Sequence, residues 1–157
     1  LTMEDIEKKM EGFREYLQKA DELLRSYSNI MARSTQRINK AMEADKIEDG
    51  MKEAQKTRSH IEYLQKQLSE LDCPQELKNY DKKVSTVFTY AIKAINAWQL
   101  GDQQLHYQYN RRYIKSYISS LEERKKFNEF IGMPASQLKM MDESIKIFKK
   151  QLDQRYH

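Results

Sequence analysis

The sequence has few of the residues that break or bend a chain. Four glycines and two prolines are spread over 157 residues, too few for the tight reversals a β-sheet protein of this length needs. Helices joined by short connections are the economical reading. Cys73 is the only cysteine, so no intramolecular disulfide can staple the fold, and its place beside a helix start suits a structural, partly buried thiol. No apolar run approaches the roughly 18 residues that cross a bilayer, and no signal-peptide pattern is present. Leu1 stands where a starting methionine would be. A processed or excised fragment is expected, favouring an extracytoplasmic location, with an anchor or signal removed, over a cytoplasmic one.

Catalytic spacings are missing as well. There is no P-loop and no G-x-G-x-x-G, so no ready phosphate cradle. None of His60, His106 and His157 follows a glutamate by three positions, which excludes the inward Glu-x-x-His pair of di-iron bundles, and no two share His-x-x-x-His spacing. Each reads as a surface or boundary histidine. The chain is expected to be no enzyme, with no catalytic residue, no metal and no cofactor.

What the sequence does have is charge and period. Charged residues make up 33% and apolar residues 39%, a ratio that suits a long, thin shape with much surface per unit of core. Thr2 with Asp5 opens a capping box, and apolar or small residues then recur at steps of four and three: Ile6, Met10, Phe13, Leu17, Ala20, Leu24, Tyr27, Met31, Ser34, Ile38, Ala41. The pattern predicts one helix over 3–43, about 60 Å long at 1.5 Å per residue. A second seam through Ile47, Met51, Ala54, Arg58, Ile61, Leu64, Leu68 and Leu71 predicts a helix over 46–71. Pro74 starts a third over 74–100; Gly101 and Asp102 separate it from a fourth over 102–131; Gly132 and Pro134 precede a fifth over 135–155.

Short connections make neighbours antiparallel. The expected fold is therefore a single all-α domain over 1–157, an up-and-down bundle of four to five helices with an unusually long, coiled-coil-like first helix. That helix outlasts the second by about 20 Å. Its N-terminal seam, Ile6 to Leu17, calls for another partner, either the fifth helix or a second copy of the chain in a homodimer through helix 1.

Asp45 and Asp102 mark the two hairpin turns, and Pro74 with Leu77 and Pro134 with Leu138 start the helices that follow. Over residues 40–140 this punctuation resembles secreted or lipid-anchored helical-bundle proteins of Gram-positive bacteria. The resemblance implies a lipoprotein-like location and carries over no functional residue.

The informative charge signal is where acids are missing. Residues 23–60 hold eight bases and five acids; residues 82–121 hold six bases and one acid, Asp102. In an up-and-down bundle the turns near 44 and 101 share one end, so the two stretches converge there. With a net charge of only +4 for the whole chain, the opposite half must be acidic, and such a field attracts anions. The same half carries Trp98 and a run of tyrosines interleaved with arginines from Tyr107 to Tyr117. The candidate residues for an anion or partner site are Arg33, Arg37, Arg58, Trp98, His106, Tyr109, Arg111, Arg112 and Tyr113. Ser34, Arg58, Arg111 and Arg112 also fall at one level along the bundle, where an anionic ligand could complete a polar layer or the layer could simply set helix register.

These features point to a non-catalytic binding or interaction module with a basic, tyrosine-rich end for an anionic partner, whether protein, polymer or headgroup. A nucleic-acid-binding protein and a purely structural bundle are the alternatives.

Overall fold

A computed structural model describes residues 1–156. It has five helices: α1 (Met3–Glu43), α2 (Ile47–Ser69), α3 (Lys78–Gln99), α4 (Gln103–Phe130) and α5 (Ala135–Arg155). The up-and-down order holds. Helix α1 packs on α2, α2 on α3, α3 on α4, and α5 lies along α4. No helix among the described residues is long and apolar enough to cross a membrane.

Local chemistry explains the ends. The Thr2 hydroxyl accepts from the Asp5 backbone N–H at 3.2 Å, and the Asp5 carboxylate accepts from the Thr2 N–H at 3.0 Å, a reciprocal cap. Helices α1, α3 and α4 all end in the same hydrogen-bonded turn. Lys46 N–H donates to the Ala41 carbonyl, Asp102 N–H to Ala97, and Met133 N–H to Asn128, each to the carbonyl five residues back, around a left-handed residue. That residue is Asp45 in the first turn, Gly101 in the second and Gly132 in the third. The Asp102 carboxylate caps α4 by accepting from Leu105 N–H at 3.0 Å. The two turn aspartates thus do different work: Asp45 bends a helix end, and Asp102 starts a helix. Pro74 does not open α3 directly. It precedes a single 3-10 turn, Gln75–Leu77, and α3 begins at Lys78.

The α1 seam faces the core from Phe13 onward. Phe13, Ala20, Tyr27 and Ser34 are buried, and Tyr16, which lies beside the seam, is buried as well. Phe13 meets Phe127 of α4 edge-on, ring centroids 5.1 Å apart. The Tyr16 hydroxyl donates to Asp81 of α3 at 2.6 Å, and Lys9 pairs with Glu76 at 3.2 Å. The N-terminal part of α1 therefore finds its partners in α4, α3 and the 3-10 turn, so Phe13 and Tyr16 need no second copy of the chain. The seam's first two members stay outside, Ile6 at 45% exposure and Met10 at 38%.

Seam reading misplaces one residue of α2. At the level of Ser34 the buried side chain is Thr57, not Arg58, and the Ser34 and Thr57 hydroxyls hydrogen-bond to each other. Arg58 turns to the α2–α3 boundary, where it donates to Asn96 and Gln55 and lies 3.7 Å from Glu62. The reason is energetic. Two small hydroxyls satisfy each other in a buried layer, whereas a guanidinium there would need a buried counter-charge. A second polar layer ties three helices together: Arg124 of α4 grips the Asp21 carboxylate with both terminal nitrogens, at 3.0 and 3.2 Å, and lies over the Tyr80 ring.

Candidate functional site

The two hairpin turns lie at one end of the bundle, as antiparallel packing requires. A Cβ on Gly50, in the first turn of α2, would sit 3.3 Å from Met42 and 3.8 Å from the Trp98 ring. Gln99 likewise reaches the Met51 carbonyl at 3.5 Å. The base-rich stretches of α1, α2, α3 and α4 thus share one half of the molecule.

Helix α4 distributes its aromatic and basic residues over three faces. Toward α3, Tyr109 lies beside Tyr90 with ring centroids 6.3 Å apart. Lys93 Nζ is 5.8 Å from the Tyr90 centroid and 5.7 Å from that of Tyr109, and the Arg112 guanidinium is 5.9 Å from Tyr90. The two cations sit on the tyrosine rings, and neither forms an ion pair with a carboxylate among the described residues. Ring faces attract cations at this distance while leaving their outward side open. Toward α5, Tyr107 packs on Tyr156 at 5.0 Å and Tyr117 on Phe148 at 4.9 Å. Arg111 is half-buried, its Nε without a partner among the described residues.

The third face of α4 looks across to α1. There the helices leave a cleft of about 340 Å³, lined by His106, Asn110 and Tyr113 of α4, by α1 from Tyr27 to Asn39, and floored by α3 with Trp98 and Ile95. The floor is built from small side chains, Ala54, Ala91 and Ala94, which explains the open space. Where the floor becomes bulky the gap closes, with Tyr27 against Phe88 at 5.3 Å and against Tyr113 at 6.3 Å. Asn110 Nδ2 and His106 Nε2 are 3.0 Å apart. Burial lowers the His106 pKa, keeping the ring neutral, so Nε2 accepts from the Asn110 amide.

The nine residues singled out from the sequence therefore do not form one site. Tyr109 and Arg112 belong to the cation-covered patch; Trp98, His106 and Tyr113 line the cleft. Arg33 reaches the Asn29 carbonyl of its own helix at 3.4 Å, and Arg37 pairs with Glu53 at 3.4 Å. Arg58 lies beside Asn96 of α3 and Arg112 lies on Tyr90, six residues earlier in the same helix. Tyr90 and Lys93 complete the patch; their spacing on α3 is visible in sequence, but their pairing with Tyr109 is not.

No three His, Cys, Asp or Glu side chains among the described residues come together in a group that could hold a metal ion. His157 lies outside the described residues. The Cys73 thiol is half-buried, and burial raises its pKa, which makes it a weaker nucleophile at neutral pH. Compared with known proteins, the chain matches no family model, no curated protein and no solved structure.

Proposed function

We propose that the chain is a non-catalytic binding module that engages an anionic partner, an acidic protein surface, a polymer or a headgroup layer, through the patch on α3 and α4. The observation that supports this reading is the arrangement of Lys93 and Arg112 on Tyr90 and Tyr109 without a carboxylate counter-ion. Salt bridges neutralise some of the other cations, as Arg37 with Glu53 and Lys125 with Asp142 illustrate, and what sets Lys93 and Arg112 apart from the remaining unpaired ones is the pair of tyrosine rings beneath them. Charges left open on a rigid aromatic base attract an anionic surface and order little on contact, so the entropy cost of binding is small.

The nucleic-acid alternative finds less support. Single-strand binding uses exposed rings as stacking platforms, and all four tyrosines from Tyr107 to Tyr117 lie against other protein rings.

The test is binding at about 50 and about 200 mM salt to phosphatidylglycerol vesicles, to a poly-glutamate peptide and to a single-stranded oligonucleotide, with zwitterionic vesicles as control. Binding to vesicles or peptide that weakens with salt and with Lys93→Ala plus Arg112→Ala is the expected result. Oligonucleotide binding alone would favour the nucleic-acid reading, and no binding in any arm would leave a structural bundle.

A further inference from the structure

Helices α1 and α2 run antiparallel, and two contacts fix their register: Ser34 meets Thr57, and Arg37 reaches Glu53 at 3.4 Å. One turn back along α1 therefore matches one turn forward along α2. That step carries Arg37 to Arg33 and Glu53 to Lys56 and Thr57. An opposite-charge pair at the first level gives way to two cations at the next.

Arg33 and Lys56 both line a groove of about 210 Å³ between the two helices, with Arg37, Glu53 and His60 beside them and the buried Thr57 below. Neither Arg33 nor Lys56 forms an ion pair among the described residues. Arg33 engages only its Nε, on the Asn29 carbonyl at 3.4 Å, and its terminal nitrogens remain open to another acceptor. The one carboxylate of the groove, Glu53, is already matched by Arg37. The positive charges of Arg33 and Lys56 are left facing each other, a repulsion that water screens in part and that a bound anion turns into attraction.

A phosphate monoester fits this remainder. It carries close to two negative charges at neutral pH and three strong acceptor oxygens. A guanidinium takes two of them side by side, and an ammonium takes the third as a point charge. A phosphodiester carries a single charge and leaves one of the two cations unmatched.

We infer that the α1–α2 groove binds the terminal phosphate of a small molecule, held by Arg33 and Lys56 and bordered by the Arg37–Glu53 pair. The site is separate from the α3–α4 patch. It takes one doubly charged group into a recess, whereas the patch offers two cations on tyrosine rings to an extended surface.

Titrations followed by proton–nitrogen NMR, at low salt and about pH 7.5 where the monoester is a dianion, provide the test. Methyl phosphate should shift the backbone amides around Arg33 and Thr57 saturably, and dimethyl phosphate should bind about tenfold more weakly. Arg33→Gln and Lys56→Gln, both at exposed positions, should each weaken methyl phosphate by about tenfold with an unchanged circular dichroism spectrum. Glu53→Gln should act the other way, tightening binding about threefold by removing the one negative charge in the groove. Glu62→Gln makes the same charge change on α2 beside Arg58, outside the groove, and should alter binding less. Glycerol 3-phosphate and adenosine monophosphate distinguish a polyol from a nucleoside as the body that carries the phosphate. A preference for either supports the site, and equal affinity means that the phosphate group alone is recognised. The inference is overturned if methyl phosphate gives no saturable shift, if dimethyl phosphate binds as tightly, or if Lys93→Ala plus Arg112→Ala weakens methyl phosphate as much as Arg33→Gln plus Lys56→Gln does.

Discussion

Asp45 is the one described residue other than glycine with a positive φ, at 58°. A side chain with a Cβ is strained there by about 1–2 kcal/mol, less for aspartate than for most residues. Asp45→Gly should therefore raise stability by about 0.5 kcal/mol, after the added flexibility of the unfolded chain is subtracted, read as a higher urea midpoint at unchanged slope. Gly101 is the mirror case. Its φ is 71° and nothing lies within 4 Å of a Cβ placed on it, so Gly101→Ala should cost about 1 kcal/mol from backbone strain alone. At His106 the effect is one of pH. Its folded pKa is lowered by burial, so the stability contributed by the neutral ring is complete above the unfolded value of about 6.5 and is lost as pH falls through the folded value. Melting temperature should drop more between about pH 7 and pH 5 in the native protein than in His106→Gln. Equal drops would show that His106 is not the group responsible.

Among the elements, α1 carries the sharpest contrast. Its heptad spacing is uniform from Ile6 to Ala41, yet only the part from Phe13 onward has helices to pack against. Phe13 is buried on Phe127, so Phe13→Ala should cost about 3–5 kcal/mol through lost burial and the cavity left behind. Ile6→Ala should cost less than about 0.5 kcal/mol, as surface substitutions do. Equilibrium unfolding of the two variants checks both, and a large loss at Ile6 would mean that something covers the first turns of α1 in solution. Helix α5 is held differently. It buries only Ile145 fully and adds Phe148 on Tyr117 and a 2.6 Å pair between Asp142 and Lys125. That sparse attachment makes α5 the element expected to open first.

Over the whole molecule, the axial gathering of base-rich stretches follows from topology: one residue span can converge on another because both hairpins turn at the same end. What binds is then decided by how much of that charge is already paired. Two cations on an anionic membrane surface contribute about 1 kcal/mol each, so Lys93→Ala plus Arg112→Ala should weaken binding to phosphatidylglycerol vesicles by about thirtyfold at low salt. Arg37→Ala, whose partner is Glu53, should change it far less. Equal losses from both variants would indicate a diffuse field instead of a patch.

Periodicity and punctuation are properties of the chain as a string, and these were legible without the structure. The 3–43 helix, the turns at Asp45 and Gly101, the capping box of Thr2 and Asp5, and the up-and-down order all rest on local hydrogen bonding and on apolar spacing within about two turns. The site was legible only in part. Tyr109 and Arg112 could be named, but their grouping with Tyr90 and Lys93 depends on how α4 is rotated against α3. The level of Ser34 could be named, but Thr57 replaces Arg58 there because a buried layer selects neighbours that satisfy each other. The cleft was not legible at all. It exists because Ala54, Ala91 and Ala94 converge from two helices and leave room that larger side chains would fill, and a volume shared by four helices is written in no single stretch of sequence.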